Sequence, residues 1–161
     1  MIASFFSSTG ALAELIPHFR GREAQVKMAE SVDLAIKKKS SLVVEAETGT
    51  GKTFAYLAPA LLNLDKSLGQ KLIISTGSKA LQEQLYLKDL PLLLKATNFT
   101  GLCTLLKGRS NYLCTERLNR YMLETRFKQP NLHTELVTIK DWSVSTATGD
   151  IAEVDNLPED A

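Results

Sequence analysis

The stretch Ala46-Glu47-Thr48-Gly49-Thr50-Gly51-Lys52-Thr53 constrains this chain more than any other. It follows an apolar run, Leu42-Val43-Val44, and leads into a helix-like segment that begins at Phe54. A strand, a glycine-rich turn, Lys-Thr and a helix build a cradle for nucleotide phosphates. Its backbone N–H groups converge, and the helix N-terminus adds partial positive charge. Gly49 and Gly51 let the backbone curl where a Cβ would intrude. Lys52 then reaches the β- and γ-phosphates, and the Thr53 hydroxyl serves Mg²⁺. The first glycine of the usual Gly-x-x-x-x-Gly-Lys-Ser/Thr pattern is Ala46 here, a change of one methyl. The competing reading is an ordinary glycine turn with Lys52 solvated.

The rest of the chain alternates short apolar runs with helical periodicity. Strands are expected at Leu42–Glu45, Lys71–Ser75 and Gly101–Leu106. Helices are expected at Arg22–Lys39, Lys52–Leu64, Ser78–Leu85, Leu90–Lys95, Leu113–Phe127 and His133–Val144. In the first, Val26, Ala29, Val32 and Ile36 share one face, and Lys37-Lys38-Lys39 complements the helix dipole. Pro59 predicts a kink or an early end in the second. The alternation predicts an α/β fold, a parallel sheet with flanking helices, with ligands at the carboxyl ends of its strands.

Composition is that of a globular chain, 44% hydrophobic and 23% charged. No apolar run approaches a bilayer span, and two cysteines make no disulfide framework. A cytoplasmic protein is the expectation. Net charge is +1, but residues 147–161 hold Asp150, Glu153, Asp155, Glu159 and Asp160 without a Lys or Arg. Residues 1–146 therefore carry 19 basic against 13 acidic side chains, a net +6. That suits a polyanionic partner or a solvated surface equally. The acidic tail reads as exposed and polar.

Three further segments narrow the reading. Arg22 and Gln25 lie upstream of the loop, in Phe19-Arg20-Gly21-Arg22-Glu23-Ala24-Gln25. A Gln amide can donate and accept on one edge, as adenine requires; a solvated helix start is the alternative. Downstream, Ile73-Ile74-Ser75-Thr76-Gly77-Ser78-Lys79 joins a strand end to a helix start. Hydroxyls and free N–H groups there can hold phosphates of a single strand or cap the helix. Finally comes Lys107-Gly108-Arg109-Ser110-Asn111-Tyr112-Leu113-Cys114.

Together these segments resemble the Q motif, motif I, motif Ia and first cluster cysteine of DinG/XPD-type iron–sulfur superfamily 2 DNA helicases. The bacterial YoaA/DinG branch is the nearest match, from about Phe19 to Leu157. The resemblance implies a RecA-like first motor domain, incomplete here. Residues 1–107 would be its N-terminal part, and 108–161 the start of an inserted iron–sulfur domain. It implies ATP, Mg²⁺ and a [4Fe-4S] cluster as cofactors, and single-stranded or forked DNA as partner. The activity implied is 5′→3′ unwinding in repair or replication.

Residue by residue, it implies Lys52 and Thr53 as catalytic, with Arg22, Gln25 and Ala46 to Thr53 on the nucleotide. Thr53 would ligate Mg²⁺ and Cys114 the cluster, while Ser75, Thr76 and Lys79 would meet DNA. A buried free cysteine is the other reading of Cys114; Cys103 reads as core. Glu47 departs from the small residue such loops carry.

The resemblance also implies parts the sequence lacks: an Asp-Glu-x-His motif, three more cluster cysteines and a second motor domain. The chain is therefore expected to be an N-terminal fragment. The alternative function is a nucleotide- and DNA-binding module without turnover. A small P-loop kinase would need an arginine lid, which the sequence does not offer. His18 and His133 lack partners at ligand spacing and read as surface or hydrogen-bonded histidines, and Trp142 as packing. Arg109, Arg117, Arg120 and Arg126 read equally as a DNA-facing row or a solvated one.

Overall fold

A computed structural model describes residues 2–125 and 130–154. The chain divides into two compact units, Met1–Cys103 and Thr104–Ala161. Asp155, Leu157, Glu159 and Asp160 of the acidic tail lie outside the described residues, as do Arg126 and Phe127.

The first unit contains α1 (Ile2–Phe5), α2 (Ala11–Leu15), α3 (Glu23–Lys38), α4 (Lys52–Asn63), α5 (Lys79–Gln84) and α6 (Leu90–Ala96). Helices α3 and α4 form its main pair. Small residues Ala29, Ala55 and Ala58 are fully buried and let the helices approach. Phe6, Leu12, Leu57 and Leu93 fill the space around them. Cys103 packs against this core, as its sequence context suggests. Asp33 ties the pair at its edge, accepting from Lys37 Nζ at 2.6 Å and from Asn63 Nδ2 at 2.8 Å. The Lys37 bond holds the Asp33 carboxyl below its usual range. At its C-terminus α3 ends on Lys39 in the left-handed conformation, φ 53°.

The expected parallel sheet is not seen. Among the described residues no strand ladder forms, and Leu42–Glu45, Lys71–Ser75 and Gly101–Leu106 run as extended chain. Several of their apolar side chains stay open to solvent: Val43 is 96% exposed, Ile73 85% and Leu102 92%, while Ile74 and Cys103 pack on the core. A strand exists only through hydrogen bonds to a neighbour, and among the described residues no ladder joins these segments. Periodicity reports the apolar run; it does not supply the partner.

The two helices expected at Ser78–Leu85 and Leu90–Lys95 are one continuous helical stretch. A π-helical turn at Leu85–Asp89 joins α5 to α6. Pro91 supplies the physical reason. It has no N–H to give the preceding turn, and the Leu90 N–H reaches back to the Leu85 carbonyl, five residues away. Pro59, by contrast, neither breaks nor shortens α4, which continues to Asn63. The Pro59 ring is buried, and Asn63 Nδ2 donates to its carbonyl at 2.8 Å.

The second unit packs α7 (Thr115–Thr125) on α8 (Pro130–Ser145) through Leu118, Leu136 and Ile139. Trp142 joins that cluster, as packing. Ahead of α7, Tyr112 and Asp150 form an antiparallel bridge, and the Leu113 N–H donates to the Gly149 carbonyl at 2.9 Å. Lys107 Nζ meets Asp150 Oδ2 at 2.6 Å with both side chains largely buried. The Lys107 N–H donates to the Tyr112 hydroxyl at 2.9 Å. His133 differs from expectation, since its Nδ1 is buried with no hydrogen-bond partner among the described residues. No described helix is long and apolar enough to cross a membrane.

Candidate functional site

The loop from Ala46 to Gly51 connects an extended segment to the first turn of α4. Gly49 and Gly51 both take left-handed backbone, φ 81° and 78°, which a side chain disfavours. Ala46 is not among the described residues with positive φ. That position therefore does not demand glycine, which explains how alanine serves there. Glu47 is exposed, so its size does not crowd the loop.

Lys52 is half-buried and folds back across the loop. Its Nζ donates to the carbonyls of Ala46 and Glu47, each at 2.8 Å. The Thr50 hydroxyl donates to the Glu47 carbonyl at 3.0 Å and tightens the turn. These bonds keep an ammonium group poised over the cradle.

Two side chains from the start of α3 brace the loop from behind. Arg22 donates through Nη1 to the Gly49 carbonyl. Gln25, only 5% exposed, donates through Nε2 to the Gly51 carbonyl at 3.1 Å. Both acceptors are the glycines with left-handed backbone. Arg22, Gln25, the loop and Lys52, read separately in the sequence, thus form one hydrogen-bonded assembly. Tying up outward carbonyls leaves the loop N–H groups for an anion.

Thr53 sits in the first turn of α4, half-buried. Burial raises the Asp89 carboxyl above its ordinary range, against the opposing bond from Gln84 and the nearby charge of Lys88. Burial likewise raises the Tyr56 hydroxyl.

Ser75, Thr76 and Lys79 share no hydrogen bond with this assembly among those of the described residues. Ser75 and Lys79 are exposed, and Thr76 is half-buried with its hydroxyl 3.4 Å from the Ser78 carbonyl. Ser78 is the residue that caps α5, its Oγ accepting from the Leu81 N–H at 3.3 Å. In the second unit Cys114 is exposed, which removes the buried-cysteine reading. Arg109, Arg117 and Arg120 are exposed, and Arg120 pairs within its own helix with Glu116 at 3.6 Å. No group of three or more His, Cys, Asp or Glu among the described residues could hold a metal ion.

Comparison with known proteins agrees with the loop geometry. Residues 23–126 match the model of the DEAD/DEAH box helicases. The chain is 52% identical over 160 residues to the ATP-dependent DNA helicase YoaA of Haemophilus influenzae, covering 99% of this chain and 24% of that protein. It is 49% identical over 156 residues to YoaA of Escherichia coli, covering 97% of this chain and 24% of that protein. The ATP-dependent DNA helicase DinG of Escherichia coli is 40% identical over 113 residues, covering 67% of this chain and 15% of that protein. No solved structure matches the chain. The chain spans about a quarter of the length of the YoaA relatives it matches.

Proposed function

The chain belongs to the DEAD/DEAH box helicase family, and from that premise we propose that the whole protein is an ATP-dependent DNA helicase working on single-stranded or forked DNA, in the 5′→3′ sense, in repair or replication. The observation that carries this is the braced loop. Gly49 and Gly51 have left-handed backbone, Lys52 is held over them, and Arg22 and Gln25 pin their carbonyls. Residues 1–107 belong in this reading to a RecA-like motor domain, whose parallel sheet would include the extended segments 42–45 and 71–75. Residues 108–161 begin an inserted iron–sulfur domain.

The residues present fit a bound nucleoside triphosphate. Lys52 exchanges its two loop carbonyls for β- and γ-phosphate oxygens. The N–H groups at the start of α4 face the same phosphates. Gln25 spends one N–H on Gly51 and keeps its other N–H and its carbonyl for the adenine edge. Thr53 offers its hydroxyl oxygen to Mg²⁺, which when bound neutralises phosphate charge. Ser75, Thr76 and Lys79 contribute to the track for the DNA backbone. The protein works where DNA is, in the cytoplasm.

The iron–sulfur cluster needs four ligands, and the described residues do not supply them. Cys114, exposed, is assigned as one ligand in the whole protein. There, Cys114→Ser lowers iron content and visible absorption; undiminished values remove Cys114 from the site.

The test of the function is DNA-stimulated ATP hydrolysis and strand separation by the whole protein. Both fall to background in Lys52→Ala; unwinding that survives this change refutes the reading. For the 161-residue chain alone we propose binding without turnover, because its sequence has no Asp-Glu-x-His motif to orient water. Robust hydrolysis by the chain that Lys52→Ala abolishes would overturn that.

A further inference from the structure

The segment ahead of α3 is packed as tightly as the core behind it. Helix α1 lies on α3, and α2 on α6. Phe6 is 1% exposed and meets Phe5 edge to face, with ring centroids 5.5 Å apart. Gly10 turns the chain back on α1; a Cβ there would lie 2.7 Å from the Phe5 carbonyl oxygen. The chain continues through α2, where Leu12 is fully buried, and Phe19 packs on the same core.

It enters α3 through Gly21. This residue is not among the glycines with left-handed backbone, so no dihedral demands it. What demands it is room. A Cβ at Gly21 would collide with the Phe6 carbonyl oxygen and stand 3.1 Å from the Phe6 Cβ. Two stretches of backbone touch there, and glycine lets them. The next residue, Arg22, is the N-cap of α3, and its exposed side chain donates to the Gly49 carbonyl. Gln25, one turn later, is buried on its own account. Arg22 has no such burial, so its aim depends on where the chain enters the helix.

We propose that Gly21 and Phe6 are positioning residues for the nucleotide loop: the buried Phe6 ring anchors its carbonyl, and the seat of Gly21 on that carbonyl sets Arg22 on Gly49. Neither touches nucleotide; both act through Arg22. The inference rests on the loop from Ala46 to Thr53 as the ATP cradle proposed above. A loop already held in its binding shape loses less affinity to ordering, so loosening the seat weakens ATP.

The test is equilibrium titration of the whole protein with a ribose-labelled fluorescent ATP analogue, with Mg²⁺ and without DNA. Gly21→Ala pushes residue 21 off the Phe6 carbonyl and carries Arg22 with it. Affinity falls about threefold to tenfold, as for one lost hydrogen bond. In an Arg22→Ala background the same change costs no further affinity, because the bond that it disturbs is already gone; a double-mutant cycle reads this. A general structural lesion would subtract the same factor in both backgrounds, and that result overturns the proposal. So does a Gly21→Ala protein that binds like the unaltered one.

Phe6→Leu loosens the anchor while nearly keeping its volume, and carries the test should Gly21→Ala not fold. Its loss is about twofold and also vanishes in Arg22→Ala. Unchanged affinity in Phe6→Leu, or a loss that persists without Arg22, refutes the role of the seat. Lys52→Ala is the control for the underlying site. If it binds like the unaltered protein, the loop is not the cradle and the inference falls with that reading. If Lys52→Ala weakens binding and the Gly21 and Phe6 variants do not, the cradle stands and the positioning role is refuted.

Discussion

Replacing Gly51 with alanine probes the braced loop most sharply. Gly51 has φ 78° and ψ 34°, so any side chain there costs about 1–2 kcal/mol in backbone strain. The new Cβ would also collide with Gln25 Nε2 and come within 3.0 Å of its Cδ. Gln25 is a flexible side chain and must withdraw, losing its bond to the Gly51 carbonyl, about 0.5–1.5 kcal/mol. The sum for Gly51→Ala is about 1.5–3.5 kcal/mol. Gly49→Ala meets a similar φ, 81°, but the nearest atom to its Cβ is Arg22 Nη1 at 3.8 Å. It therefore costs the backbone strain alone, about 1–2 kcal/mol.

The gap between the two, about 1 kcal/mol, belongs to Gln25. Denaturant unfolding without nucleotide measures it. In a Gln25→Ala background the gap closes, a coupling that a double-mutant cycle reads directly. A Gly49→Ala cost equal to that of Gly51→Ala, or a gap that survives Gln25→Ala, would refute the claim that Gln25 braces this loop.

Other outcomes are expected elsewhere. Leu57, fully buried on α4, loses about 2–5 kcal/mol when cut to alanine, by the same unfolding assay. Asp33 is held below its unfolded value by Lys37, so its contribution is complete above that value, near 3.9, and is lost as pH falls through the lower folded one. Asp33→Asn should accordingly flatten the acid limb of a stability–pH profile, most visibly below about pH 4. In the second unit, Lys107→Met removes the cation paired with the largely buried Asp150 carboxylate and costs about 3 kcal/mol. Adding Asp150→Leu restores part of it, which tandem melting curves would show.

The helices were legible because their periodicity and their boundaries both lie in the sequence. Val26 and Ala29 face the core as their spacing requires, and α3 runs within a residue of its expected ends. The strands were legible only as apolar runs. Whether Val43 or Ile73 is a strand residue depends on a hydrogen-bonding neighbour, and local pattern cannot name one. The loop was readable as a motif, and Arg22 and Gln25 by their distance from it. What spacing could not reveal is that these two side chains hold the glycine carbonyls. The π turn was invisible for another reason. It arises from Pro91, and a periodic reading of two separate α-helices hides it.

Calorimetric titration of the chain with Mg²⁺-ATP, beside Lys52→Ala, bears most directly on the claim that this loop is a nucleotide cradle. One ATP should bind per chain, with affinity falling at least about tenfold when Lys52 is lost, the worth of a charge-assisted phosphate contact. Absence of binding, or equal binding by the two proteins, would contradict it.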